Sequence, residues 1–404
     1  MGAHNVGKGA PRRVAIVHDW LVTWGGAERV LEVLLARFPQ AELFTLVNFT
    51  EAGAVPALRG RTIHTSFIQR LPGARRHYRR YLPLMPLAVE QFDLKGFDLI
   101  LSSSHAVAKG VIPDPEATHV CYCYSPMRYA WDMQHQYLRQ TGHARGLMSL
   151  LMRWQLHRLR LWDYVSAQRV DHFIAISRYI QRRIERVYRR EAQVIYPPVQ
   201  VARYRYDRPR QNFYVTAARM VPYKRLDLII EAFNAMPDKS LLVIGDGPEQ
   251  RRLQAMAGPN VSLLGYQPDS VLIDHLEKAR AFVYMAEEDF GILPVEAQAA
   301  GAPVIGYPVG GVGETVLHGQ TGWHVAEQTA EALVEAVGDF EASLEGGDAA
   351  LLRALRCHQQ AQRFDVAVFE QALGESLAHI TGDDDPVTGA VDGQQDPQAT
   401  TVRQ

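Results

Sequence analysis

Short apolar runs alternate with stretches of helical period along nearly the whole chain, and the alternation breaks only once, near the middle. Val14–Trp20 (VAIVHDW) is continuous enough in apolar character for a strand buried on both faces, and the helical pattern AERVLEVLLARF follows after a short turn. Strand-like runs recur at AELFTLV, FDLILSSS, HVCYCYS and HFIAIS, the last leading into SRYIQRRIERVY with helical spacing. Strands that alternate with helices build a parallel sheet covered on both faces. At VIYPPVQVARYRYDRPRQ the pattern stops, because Pro197, Pro198 and Pro209 disfavour regular structure. It then restarts with strand-like NFYVTAA, SLLVIGDG, VSLLG, ARAFVYM and PVIGY, the helical DLIIEAFNAM and VEAQAAG, and further helices over Thr329–Ile380.

Two sheets need two cores, and 404 residues is long enough for both. The expected fold is α/β, with two Rossmann-like domains at 13–205 and 206–360. A C-terminal helix at 361–380 is expected to pack back toward the first domain, and the acidic tail at 381–404 and residues 1–12 are expected to be disordered. Open parallel sheets bind ligands at the C-terminal ends of their strands. Two such sheets facing each other share one cleft, which suits transfer between two bound substrates.

Charge is divided unevenly. The first 205 residues hold 29 Lys and Arg against 15 Asp and Glu, and the remaining 199 hold 14 against 29. The first half is therefore suited to an anionic partner, and the two halves to each other. No nucleic-acid motif accompanies this charge, so nucleic acid is not an expected partner. No apolar run approaches the ~18 residues of a membrane span, and MGAHNVGKGAPRR lacks the apolar core of a secretory signal. A cytoplasmic protein is expected. Its three cysteines, Cys121, Cys123 and Cys357, read as buried structural thiols.

The densest chemical signal is EEDFGILPVEAQAAGAPVIGYPVGG, residues 287–311. Glu288 closes a strand, a glycine-containing turn follows, and a helix is expected to start near Pro294, a residue favoured at the first helical position. Amides at a helix N-terminus hold phosphate, and carboxylates such as Glu288 and Glu296 accept hydrogen bonds from sugar hydroxyls. Upstream, AARMVPYKRLDLIIEAF places Arg219 at a strand end and Lys224 five residues later, two cations able to neutralise a diphosphate. Arg225 beside them is ambiguous.

In this order the segments resemble the large retaining GT-B glycosyltransferase group called family 4, over nearly the whole chain. The resemblance implies two Rossmann-like domains facing a central cleft. It places Glu288 by the donor sugar and Glu296 on the ribose hydroxyls, and brings Phe290 and the backbone of Gly291, Ile292 and Leu293 close to the sugar and diphosphate. Arg219 and Lys224 would clamp the phosphates, so that no metal or other cofactor is needed. In LLGYQPD, Gln267 and Asp269 either read the nucleobase or only hydrate a loop. Gly25 and Gly26, between the first strand and helix, resemble the loop that approaches the donor phosphate. His105 after FDLILSSS departs from the family's spacing, so either it or a neighbouring serine contacts the sugar.

CYCYSPMRYAWDM gathers aromatic residues and an arginine, and Arg128, Tyr129 and Trp131 are acceptor-side candidates, with core packing the competing explanation. With HDWLVTWGGAERVLEVL it resembles bacterial mannosyltransferases of O-antigen and exopolysaccharide assembly, the WbaZ-like branch, which implies GDP-mannose as donor and a polyprenyl-diphosphate-linked glycan as acceptor. Two basic-aromatic stretches, residues 70–89 and 144–162, suit the anionic face of an inner membrane or, alternatively, form a solvated basic surface. Two other functions stay open: a nucleotide-sugar epimerase of the same fold, and a non-catalytic nucleotide-sugar-binding subunit. The intact set of Arg219, Lys224, Glu288 and Glu296 disfavours the second. A nicotinamide dehydrogenase is disfavoured because no GxGxxG follows the first strand.

Overall fold

The computed structural model describes residues 12–51, 55–132, 134, 138, 146–344 and 349–382. Of the expected tail at 381–404, Thr381 ends a helix and Gly382 caps it; residues 383–404 and 1–11 lie outside the described residues. The first sheet is formed by β1 (Val14–His18), β2 (Glu42–Thr45), β3 (Ile63–Thr65), β4 (Leu99–Ser104), β5 (Thr118–Cys123), β6 (His172–Ala175) and β7 (Ala192–Val194), in the order β3-β2-β1-β4-β5-β6-β7. The second runs β10-β9-β8-β11-β12-β13, from β8 (Phe213–Ala217), β9 (Ser240–Ile244), β10 (Val261–Gly265), β11 (Ala281–Tyr284), β12 (Val304–Gly306) and β13 (Gly322–His324). Every strand pairing in both sheets is parallel.

Ten of these strands coincide with the apolar runs of the sequence. The other three, β3, β7 and β13, are three-residue strands at sheet edges outside those runs. Three residues cannot display a period; only pairing to the neighbouring strand defines them.

The helices that shape the cleft are α1 (Gly26–Arg37), α2 (Leu147–Ser166), α3 (Arg178–Tyr188), α4 (Leu226–Asn234), α5 (Asp269–Lys278), α6 (Ile292–Ala299) and α7 (Val366–Thr381). The side chain of Ser177 caps α3 by accepting from the Ile180 amide at 3.1 Å, and Asp365 caps α7 by accepting from Ala367 at 3.0 Å. Although last in the chain, α7 lies against the first sheet. Phe369 meets Tyr122 edge to face at 5.7 Å, and the Ser376 hydroxyl donates to Gln193 at 2.6 Å.

The charge division has a structural counterpart at the seam. Glu314 of the second domain accepts the amides of Arg178 and Tyr179 at 2.9 and 2.7 Å, and the Tyr179 hydroxyl donates to Glu287 at 2.6 Å. Ser177 Oγ donates to the carbonyl of Asp289 at 2.6 Å. The basic half thus brings donors to the acidic half where the two meet.

Candidate active site

On the second-domain wall, Lys224 stands in the turn between β8 and α4. Its Nζ lies 2.6 Å from Glu288 Oε1 and 3.1 Å from the Tyr284 hydroxyl. Burial alone would lower the ammonium pKa, but Tyr284 and Glu288 outweigh it and hold Lys224 above the usual lysine range. Arg219 is exposed and makes no ion pair among the described residues. Arg225 adopts a left-handed backbone, φ 53°, and its side chain is held by Asp227 at 3.3 Å and Gln328 at 3.0 Å.

The turn after β11 brings Glu288 beside Gly310 in a parallel bridge, and Gly291 then reverses the chain with φ 82°. Helix α6 starts at Ile292, two residues before the sequence suggested, so Pro294 occupies its third position rather than its first. The difference is physical: Gly291 in the left-handed region ends the turn there, and Pro tolerates any place in a first turn, where amides lack helical partners. Lys224, Tyr284, Glu288 and residues 290–293 line a cavity of about 320 Å³, closed on the other side by Gly26 and Tyr124. Phe290 itself is buried, packed on Tyr196 and Phe364.

Glu296, one turn into α6, is only 5% exposed. It pairs with Arg29 of α1 and accepts from the Tyr204 hydroxyl. Asp269, the first residue of α5, lies 3.1 Å from Arg203 and 3.8 Å from Arg29. Gln267 donates to the Leu264 carbonyl at 2.7 Å.

On the first-domain wall, the Gly25 amide donates to Glu28 at 2.9 Å, and Glu28 is backed by His18 at 3.7 Å. A Cβ on Gly26 would come within 2.9 Å of the Ile292 Cδ1, so any larger residue here requires the Ile292 side chain to shift. His18 also meets Ser103 at 3.0 Å, and Ser103 meets the Tyr124 hydroxyl at 2.9 Å. His105 sits one position outside this group, 3.0 Å from Asp19, with burial holding it below the usual histidine range. It is not among the residues lining the cavity at Glu288, whereas Tyr124 is. Asp19, missed by the sequence reading, accepts four successive amides from His105 to Ala108 at 2.6–3.0 Å and so fixes the loop after β4. A carboxylate directly after a buried strand was the available signal.

A larger cavity of about 940 Å³ opens above Gly25. Arg219, Gln267 and Asp269 line one side; Arg76, Arg79 and Arg80 line the other. The stretch 70–89 therefore turns three of its arginines into the cleft. Of the acceptor-side candidates, Arg128 reaches Asp289 at 3.5 Å. The Trp131 indole donates to Asp163 at 2.7 Å, joining a buried pair in which Lys109 Nζ lies 2.5 Å from Asp163. Tyr129 packs against the core of the first domain. Among the described residues, no group of three or more His, Cys, Asp or Glu side chains is placed to hold a metal.

Residues 24–203 match the family model described as Glycosyltransferase Family 4, and residues 205–345 match the one described as Glycosyl transferases group 1. With its two parallel sheets across a cleft, the chain has the GT-B fold, and each of its two domains matches one of these family models. The solved structures it resembles include HepE of Anabaena in complex with UDP (TM-score 0.65, 17% identity, 91% of this chain and 100% of that one). Another is a sucrose-phosphate synthase of Thermosynechococcus elongatus (TM-score 0.68, 17% identity, 92% and 100%). At these identities the likeness is one of fold.

Among curated relatives, an uncharacterized glycosyltransferase of Methanocaldococcus jannaschii is 30% identical over 157 residues, 38% of this chain and 44% of that protein. A GDP-mannose-dependent alpha-(1-6)-phosphatidylinositol monomannoside mannosyltransferase of Mycolicibacterium smegmatis is 34% identical over 143 residues, 31% and 37% respectively. The matches thus span less than half the length of these relatives.

Proposed function

We propose that this chain is a retaining glycosyltransferase that moves a hexosyl unit, mannose from GDP-mannose, onto a polyprenyl-diphosphate-linked or other glycan acceptor in bacterial surface polysaccharide synthesis. One observation carries the reading: Lys224 and Glu288, from different βα turns, meet at 2.6 Å beside the N-terminus of α6, whose Gly291 cap has no side chain to satisfy the first amides. In this reading a nucleotide sugar enters between them, its diphosphate on Lys224, Arg219 and the α6 amides and its hexose on Glu288. The anomeric C–O bond to the diphosphate breaks, and the acceptor oxygen bonds the same face of the sugar. Its proton passes to the departing phosphate. The cations carry the charge of the leaving group, so the reaction proceeds without a bound metal. The GDP-mannose-dependent relative supports the choice of donor.

A peripheral place on the anionic cytoplasmic face of the inner membrane is part of the proposal. Supporting it, α2 turns Leu147, Leu151, Trp154, Leu161 and Val165 outward; Leu147 is 89% exposed, and Arg158 lies over the Trp154 ring at 5.3 Å. No helix among the described residues is long and apolar enough to cross a membrane.

The deciding experiment incubates the purified protein with a panel of GDP- and UDP-sugars and measures released nucleotide and sugar products. Slow release of GDP from GDP-mannose is expected without acceptor. An isomerised donor would instead identify an epimerase, and tight binding with no product a regulatory subunit.

A further inference from the structure

The cavity at Glu288 is bounded by a charged wall. Asp289, in that wall, pairs with Arg128, which with Glu287 and Tyr223 lines a second cavity of about 310 Å³. The second shares Asp132, Tyr179 and Arg183 with a third of about 570 Å³ that opens along α3. The second and third run together as a trench from the Arg128–Asp289 pair, which borders the proposed reaction centre, to α3.

The arginines along it fall into two sets. Arg128 and Arg183 are neutralised by Asp289 at 3.5 and 3.3 Å, and Arg183 also contacts Asp132. Arg182 and Arg186 differ. They stand one helical turn apart on α3, are exposed, line the third cavity beside Trp131, and make no ion pair among the described residues. Glu185 between them pairs with neither. Two like charges at i and i+4 disfavour a helix, so nothing in the fold itself calls for the pair. Two guanidinium forks at this spacing beside an indole match a group with two negative charges joined to an apolar or sugar portion.

We infer that the outer end of this trench is an anion subsite for the acceptor, in which Arg182 and Arg186 hold a phosphate or diphosphate borne by the acceptor while its sugar hydroxyl reaches the cavity at Glu288. The inference rests on the transferase reading and adds to it residues that the sequence had shown only as a basic helix. A lipid-linked diphosphate and a soluble sugar phosphate share this chemistry.

Calorimetric titration of the full chain with farnesyl diphosphate and, separately, glucose 1-phosphate tests it. The wild type should bind at least one, and R182Q/R186Q should weaken that binding at least tenfold with an unchanged melting temperature. R182K/R186K should recover part of it, because charge survives without the fork. Binding of farnesyl diphosphate alone identifies a lipid carrier; equal binding of both identifies a soluble phosphate. Binding of neither by the wild type, or equal binding by R182Q/R186Q, overturns the subsite. Nucleotide release from sugar donors, measured in parallel on the wild type, fails separately if the transferase reading is wrong.

Discussion

Arg29 on α1 and Glu296 on α6 form an ion pair across the cleft, although 267 positions separate them. Glu296 is nearly buried, so its charge depends on Arg29 and the Tyr204 hydroxyl to offset the loss of water. The carboxylate proposed for the ribose is thus held by a side chain of the opposite domain. If Glu296 takes the ribose, donor binding and the contact between domains compete for one group.

Replacing Arg29 with Gln should therefore tighten nucleotide binding. A coupling at the low end of the usual 1–3 kcal/mol corresponds to about fivefold. Titration calorimetry with GDP and UDP measures it, and weaker binding by the variant would make Arg29 a nucleotide ligand instead of a competitor.

Lys224→Ala and Arg219→Ala should each lower transfer by about 2–4 kcal/mol in the transition state, roughly 30- to 800-fold. The two should differ in the free protein. Lys224 leaves Glu288 and Tyr284 without their cation, whereas Arg219 has no ion pair to lose among the described residues. Thermal melting should drop for Lys224→Ala and hold for Arg219→Ala; near-wild-type turnover would remove either residue from the site.

Transfer should persist in excess EDTA, because the cationic pair takes the place of a divalent ion at the leaving diphosphate. Loss of activity that magnesium or manganese restores would overturn this.

Burial pushes the Asp289 carboxyl up to about 6, against the opposing pull of Arg128 and Arg183. In the unfolded chain it ionises near pH ~4. Between these values the folded protein holds the extra proton, so stability from this group falls as pH rises from about 4 to about 6 and is level above. Melting temperatures from pH 4 to 8, wild type against Asp289→Asn, should show this slope only in the wild type.

Leu151→Ser with Trp154→Ser should release the protein from anionic vesicles, since both side chains are exposed on the outer face of α2. Co-sedimentation reads the result. Replacing Arg75, Arg76, Arg79 and Arg80 with Gln should also weaken vesicle binding, at about 1 kcal/mol per residue near the surface. That variant should impair transfer to a soluble acceptor as well, because Arg76, Arg79 and Arg80 line the cleft. Unchanged soluble transfer would return them to a purely surface role.

The alternation of buried strands and amphipathic helices determined the two sheets. A strand covered on both faces must be apolar throughout, and that is written locally in runs such as Val14–Val17 and Ala281–Tyr284. The order of Arg219, Lys224, Glu288 and Glu296 was likewise legible, because each ends or follows such a run. Tertiary structure alone decided which side chains meet. Arg29 with Glu296, the Asp19 carboxylate under four amides, and Arg76, Arg79 and Arg80 turned into the cleft all join segments whose separation in sequence carries no distance. The same holds for β3, β7 and β13, and for Arg182 and Arg186, an ordinary basic stripe until packing sets it at the end of a trench. Periodicity reports whether a residue faces the core. Which neighbour it finds there depends on how the two domains close on each other.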